Sequence, residues 1–275
     1  MLPLLSDRVH IALTPEAVSG TRISRPFRSE VTEKHTVPCA PGSAPADWQA
    51  ALDGLTELLS RMKRERADVT VILSNRYVRF ALLPWSENLR HPHEQMAYAR
   101  HRFASVHGEE AEKWEIRLSP GGPGEPRVAS AVDPALLQSL RERFKGTRLR
   151  LNSIQPYLMA AYNLWRPRLN GGDCLFLAVE SRLYACAAFR SGQWCAVHGG
   201  VLHGELADEL PVILDRERVW GDFSDRPPVF VHAPEQPGFN PPPGQPWNVS
   251  CLRLPARRGF SPISDSRYGM AMTAH

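Results

Sequence analysis

The sequence predicts a two-unit α/β protein, and three observations carry that prediction. Residues 69–73 place Val69, Val71, Ile72 and Leu73 around a single polar residue, Thr70. An apolar run this continuous marks a strand covered on both faces, which needs helices or a second layer as cover. Next, Trp48, Leu52, Leu55, Leu59 and Met62 recur at i, i+4, i+7, i+11 and i+14, the spacing of one buried helix face. Finally, three strands, a helix and a strand read over 9–74, and the same order reads again over 174–232. The repeat lies in element order and not in residue identity.

In the first unit, residues 9–13, 20–25 and 30–39 read as strands, with Pro15 turning the first into the second. Thr21, Ile23 and Val31 supply β-branched positions. Residues 41–45 form a loop, and Asp47 is placed to cap the helix that carries the Trp48–Met62 stripe. Arg61, Lys63, Arg64 and Arg66 suit the C-terminal end of that helix. After the apolar strand, Ser74, Asn75 and Arg76 make a polar turn, Asn being tolerant of unusual turn geometry. A second β-rich run, 77–81, follows and stops at Pro84.

That run opens an inserted unit of about residues 77–132. Pro92 sits at a first helical position, Met96, Ala99, Phe103 and Val106 form an apolar stripe, and Gly108 ends the helix. Residues 114–119 and 128–132 read as strands around the loop 120–126. Asp133 and Pro134 start a further helix with Leu137, Leu140 and Phe144 inward and Gly146 as its stop. Residues 149–154 form a strand, and Pro156 opens a helix with Leu158, Ala161, Tyr162, Trp165 and Leu169 inward.

The second unit has strands at 174–179, 183–189 and 193–197. Its helix carries Leu206, Leu210, Ile213 and Leu214 around Pro211, and a short strand follows at 229–232. Residues 234–246 are a Pro-rich connection, 249–254 a last strand, and 255–275 a mobile tail by virtue of their terminal position. The division that follows is 1–155, 156–254 and the tail.

Composition narrows the function classes. With 43% apolar and 23% charged residues, the chain has the make-up of an ordinary soluble globular protein. Its net charge of +4 is scattered, and no block of like charge is long enough to read as a nucleic-acid tail. The apolar runs reach about half the length of a membrane span. The opening MLPLLSDRVH has no basic region before its apolar residues, which makes it a poor signal peptide. Cys39, Cys174, Cys186, Cys195 and Cys251 form no CxxC pair and read as reduced thiols of a cytoplasmic protein.

No Walker-type glycine loop and no GxSxG elbow occurs. Residues 121–124, GGPG, precede a strand and not a helix, so they read as a hairpin loop. His91, His93, His101 and His107 have no Cys or acidic residue spaced to complete a metal set, and His198 and His203 fare no better. Asp133, Asp173, Glu180, Asp208 and Asp215 are the carboxylates available for acid–base work. No converging pair can be placed among them, and Asp133 is explained as a cap. No catalytic, cofactor or metal-ligating residue is therefore assigned.

Three stretches carry a family resemblance: LSNRYVRFALLPW over 73–85, AYARHRFASVHG over 97–108 and SIQPYLMAAYN over 153–163. Together with the duplicated element order, they resemble the cytoplasmic actin-like assembly proteins of type IV pili and type II secretion, the PilM, MshI and GspL-cytoplasmic-domain group. The likeness covers roughly residues 5–235. It implies an actin-like ATPase fold: two ribonuclease-H-like β-β-β-α-β lobes, an insertion in the first and a shortened second. Active members of that superfamily carry an Asp-x-Gly turn between the first two strands of each lobe. The corresponding stretches here are ALTPE over 12–16 and AVESR over 178–182, and neither contains one. Glu180 stands where a phosphate-binding turn wants glycine, and a carboxylate there repels phosphate. The expectation is a degenerate site without ATP-Mg and a non-catalytic scaffold. The alternative is an actin-like ATPase or kinase with an atypical phosphate site.

The resemblance further implies a partner, the cytoplasmic tail of an inner-membrane assembly protein, bound between the first unit and its insertion. Tyr77, Arg79, Phe80, Trp85, Arg100 and Arg102 are the candidate contacts, since aromatic residues and Arg dominate binding hot spots. The other reading makes Phe80 and Trp85 core and the arginines solvated. The implied location is cytoplasmic, held at the inner membrane through a protein, with no membrane insertion and no nucleic acid. A homodimer is left open.

Overall fold

The computed structural model describes residues 6–24, 29–40, 48–169 and 171–274. Asp47, the loop 41–45, Arg25 and the first five residues lie outside these. The first sheet has the order β3-β2-β1-β4-β8, built from β1 (Asp7–Leu13), β2 (Ala17–Ser24), β3 (Glu30–Pro38), β4 (Ala67–Leu73) and β8 (Leu149–Pro156). β4 lies parallel to both β1 and β8. Its two buried faces meet different partners. Val69, Val71 and Leu73 pack with Leu52, Leu55 and Leu58 of α1 (Gln49–Arg61). Ile72 packs on the other side with Tyr157, Leu158 and Ala161 of α4 (Tyr157–Trp165).

The buried face of α1 is centred on Ala51, Leu52, Leu55 and Leu58, while Trp48 and Leu59 are only partly buried at its edges. Leu58 is admitted because Gly20 on β2 has no side chain: a Cβ there would stand 2.8 Å from a Leu58 methyl. Beyond β4, Asn75–Tyr77 form a single 3-10 turn before β5 (Val78–Leu83).

The insertion is a three-stranded antiparallel sheet, order β5-β7-β6, with β6 (Glu115–Leu118) and β7 (Arg127–Val132). Helix α2 (Pro92–His107) covers it with Ala99 and Phe103 against Leu83, Ile116, Ala129 and Ala131. The predicted stripe ends early: Val106 is 65% exposed. The last turn of α2 instead turns His107 onto Trp114, with ring centroids 5.2 Å apart. Helix α3 (Pro134–Phe144) starts as expected, with the Ala135 amide donating to Asp133 Oδ1 at 2.8 Å.

The second unit comprises β9 (Cys174–Val179), β10 (Leu183–Arg190), β11 (Gln193–Val201), α5 (Leu206–Trp220), β12 (Val229–His232) and β13 (Val249–Cys251). Its sheet order, β11-β10-β9-β12-β13, repeats that of the first sheet position for position. Helix α4 lies between the units, sharing one cluster with Ala12, Ile23 and Ile72 of the first and Phe176, Ala185 and Phe189 of the second.

The expectation of a mobile tail over 255–275 is overturned as far as residue 274. Tyr268, Met270, Ala271, Met272 and Ala274 are buried in the cluster shared by the two units. Thr273 Oγ1 lies 3.1 Å from His232 Nε2, and Lys34 Nζ pairs with Asp265 Oδ1 at 2.7 Å. Terminal position argued for mobility, but a run of Met and Ala next to an apolar seam gains more by burial than it loses in chain entropy.

Truncating Leu55 to Ala, at 0% exposure between α1 and β4, is expected to cost about 2–5 kcal/mol of unfolding free energy in a denaturant titration. A loss below about 0.5 kcal/mol, the level of a surface change, would show that the stripe does not face this sheet.

Candidate functional site

Two places on this scaffold are built for chemistry or recognition. The first lies between the units. β1 and β4 end together, with the Ser74 amide donating to Leu13 O at 3.0 Å. The β1–β2 turn is closed by Thr14, whose hydroxyl donates to Ala17 O at 2.8 Å and accepts from the Ala17 amide at 3.1 Å. The β9–β10 turn is closed by the Glu180 amide donating to Leu183 O at 2.8 Å. From this second turn the Glu180 side chain crosses to the first unit. It accepts a short hydrogen bond from Ser74 Oγ and one of 2.8 Å from the Asn75 amide.

The Glu180 carboxyl thus satisfies the first backbone N–H of the 3-10 turn, one that has no partner within the turn itself. Asn75 in turn accepts from the Leu158 amide at 3.1 Å, and Tyr157 Oη donates to Val179 O at 3.3 Å. Glu180 is 3% exposed. Burial pushes its carboxyl up to about 8, against the lowering pull of the Ser74 and Asn75 bonds, and the charges of Glu235 and Glu16 push the same way. Half-buried Glu235 is raised to about 7, first by burial and then by Glu16. Three carboxyl groups thus gather around these turns, and the Glu180 carboxyl fills the space beside the 3-10 turn.

The second place is a groove of about 760 Å3 along the free edge of β8. Leu73, Val132, Leu137, Phe144 and Ile154 make its floor, and Glu115, Arg117, Arg141, Arg148 and Arg150 its rim. Arg117 and Arg141 both reach Glu115, at 2.9 and 3.6 Å. β8 pairs with β4 on one side only, and β6, the edge of the inserted sheet, borders the groove opposite. Unpaired strand edges over an apolar floor suit an added extended segment.

The six sequence-chosen contacts are not brought to one surface. Tyr77 is buried in the core of the first unit. Arg79 turns back to donate to Arg76 O at 3.0 Å and Val78 O at 3.2 Å, and burial lowers its pKa. Phe80 is half-buried against both major clusters, and β5 lies against β11 of the second unit. Trp85, 46% exposed, lines a separate cavity of about 420 Å3 with Leu89 and Pro123. Arg100 donates to Glu112 O at 2.8 Å on exposed α2, and Arg102 is exposed on the same helix.

The residues that line the β8 groove went unnoticed in the sequence because an edge exists only once strand order is known. Among the carboxylates, Asp173 accepts from the Ser191 amide at 2.7 Å, and Asp208 lies in the first turn of α5. Among the described residues no three His, Cys, Asp or Glu side chains converge to hold a metal ion. No helix among them is long and apolar enough to cross a membrane.

Paired sheets of matching strand order, the inserted sheet and the turns meeting between the units define an actin-like fold. No protein-family profile matches the chain, and no curated protein matches it by sequence. Solved structures do. A PilM-PilN type IV pilus biogenesis complex aligns with a TM-score of 0.65 and 15% identity, covering 98% of this chain and 96% of that one. The cytoplasmic domain of EpsL, an inner-membrane component of the Vibrio cholerae type II secretion system, aligns at TM-score 0.60 and 11% identity over 98% and 96%. A Bacteroides thetaiotaomicron protein with an actin-like ATPase fold and unknown function aligns at 0.55 and 12% over 84% of each chain. The likenesses establish the fold, and they include the pilus and secretion proteins that the sequence motifs resemble.

Glu180 supplies a pH test with a defined sign. Its folded pKa, about 8, lies above the ordinary carboxyl value of 4.5. Between those values the folded protein keeps a proton that the unfolded chain releases, so stability contributed by this group is lost as pH rises through the window. The melting temperature of Glu180→Gln should therefore gain on the wild type between about pH 5 and pH 9. A difference that stays constant with pH would show that Glu180 does not titrate abnormally.

Proposed function

We propose that this chain is a non-catalytic scaffold of an inner-membrane assembly platform of the type IV pilus or type II secretion kind. It is held at the membrane by binding the extended cytoplasmic tail of a membrane protein. The observation that carries this reading is the β8 groove, where a free strand edge, an apolar floor and an arginine-rich rim occur together. A tail added beside β8 would gain main-chain hydrogen bonds, seat alternate apolar side chains on the floor and set acidic ones against Arg117, Arg141 and Arg150. The fold shared with a PilM-PilN complex and with a type II secretion component supports the setting. The reading includes a cleft that takes no ATP-Mg, supported by the Glu180 carboxyl on the 3-10 turn.

The test uses fluorescent peptides spanning the cytoplasmic tails of the inner-membrane proteins encoded beside this chain's gene. One of them should bind, and Arg117→Glu with Arg141→Glu should weaken it by about fivefold or more at unchanged melting temperature. Equal binding by the variant would place the tail elsewhere. A tail that binds more weakly to Trp85→Ala but normally to the rim variant would move it to the Trp85 cavity.

A further inference from the structure

Two short stretches far apart in the chain are strongly basic. Residues 61–66 hold Arg61, Lys63, Arg64 and Arg66 against Glu65, and residues 141–150 hold Arg141, Arg143, Lys145, Arg148 and Arg150 against Glu142. The whole chain has a net charge of only +4, so the rest is acidic on balance. The fold brings both stretches to one end. Each precedes one of two neighbouring parallel strands, with Ala67 of β4 in register with Leu149 of β8. Lys63, Arg64, Arg143 and Arg148 line a single cavity of about 670 Å3.

Part of this charge is ordinary. Arg61 pairs with Glu57, Arg143 with Asp53 at 3.6 Å, Lys145 with Glu142 at 2.5 Å and Arg150 with Asp68 at 2.8 Å. Lys63, Arg64, Arg66 and Arg148 are exposed and have no ion-pair partner among the described residues. Nor do they serve the dipole of α1, which ends at Arg61, since that effect fades beyond the last turn.

The loop that presents Lys63, Arg64 and Arg66 is held in place. Buried Arg22 donates to Lys63 O at 2.8 Å while bonding Glu33 at 2.7 Å and Asp7 at 3.2 Å, and Glu33 Oε1 accepts from the Lys63 amide at 3.2 Å. Lys63, Arg64 and Arg66 thus stand on one fixed loop, and Arg148 on the other follows Thr147, whose hydroxyl donates to Phe144 O at 2.8 Å and accepts from the Leu149 amide at 3.2 Å.

We infer that this end of the first unit is a membrane-facing surface that binds anionic phospholipid headgroups. Clustered Lys and Arg each gain about fivefold in affinity beside an anionic bilayer, so a few suffice to orient a protein already tethered there. Nucleic acid fits less well, because the cations sit on two loop tips and the aromatic residue between them, Phe144, is buried and cannot stack on bases. The position agrees with the proposed tethering. Thr147, Arg148 and Leu149 line both this cavity and the β8 groove, so a tail leaving the groove at that end would emerge at the membrane face.

The experiment is co-sedimentation of the whole chain, without any protein partner, with vesicles of phosphatidylcholine alone or mixed with phosphatidylglycerol. The absence of a partner keeps its outcome separate from that of the peptide assay. Binding should require phosphatidylglycerol and fall steeply as salt rises from about 0.05 M to 0.5 M. Arg64→Glu with Arg66→Glu should weaken it about tenfold or more. Arg168→Glu with Arg257→Glu, an equal change of net charge on exposed positions elsewhere, should leave it intact. The milder Lys63→Gln, Arg64→Gln, Arg66→Gln variant gives the same comparison if the charge reversal lowers the melting temperature. Equal loss in both charge-reversal variants would reduce the effect to net charge and overturn the assignment. So would binding indifferent to phosphatidylglycerol, or tighter binding to duplex DNA than to the anionic vesicles at the same salt.

Discussion

The Glu180 carboxyl, buried between two similar units and held by Ser74 and the Asn75 amide, is the constraint around which the rest of this structure is arranged. An acidic group 3% exposed is costly unless its oxygens are satisfied, and both of its partners come from the opposite unit. Withdrawing Glu180 from Ser74 would strand polar groups on both sides. The same place is sealed from behind by α4 and by the C-terminal segment, whose Met270 and Met272 fill a cluster shared by both sheets. The junction between the two units is thus filled by the chain's own side chains, which hold the units together.

The free strand edges lie away from the core of that junction. β8 is an edge strand because nothing follows it in the first sheet, and the inserted sheet stands beside it without pairing to it. The gap between them is the β8 groove. One end of the groove meets the basic loops that precede β4 and β8. Tail binding and membrane contact would therefore act at adjoining surfaces, with the basic loops at the opposite ends of β4 and β8 from the Glu180 junction.

Much of the framework was legible in the sequence because it rests on local periodicity. The run from Val69 to Leu73 does have two buried faces, and the α1 stripe does meet it, with Leu58 added once Gly20 is seen to make room. Asp133 as a cap and Glu180 as a turn residue were likewise readable from neighbours in the chain. What failed to show depended on distant residues. The tail was read as mobile because nothing local reveals that Met272 lies beside Thr21, the Thr21 hydroxyl standing 3.6 Å from its sulfur. The charges near residues 64 and 148 look scattered until two parallel strands set their loops side by side. Arg79 looked like an outward contact, yet it closes on the carbonyls of its own turn.

The junction occupied by the chain's own carboxyl is proposed to be closed to nucleotide. That closure is tested most directly by the melting temperature with and without about 1 mM ATP and magnesium, since a ligand bound tenfold above its dissociation constant adds about 1.4 kcal/mol of stability. The account predicts no shift in the wild type. A clear upward shift, abolished by substitutions at Ser74 or Thr14 that leave the apo protein folded, would contradict it.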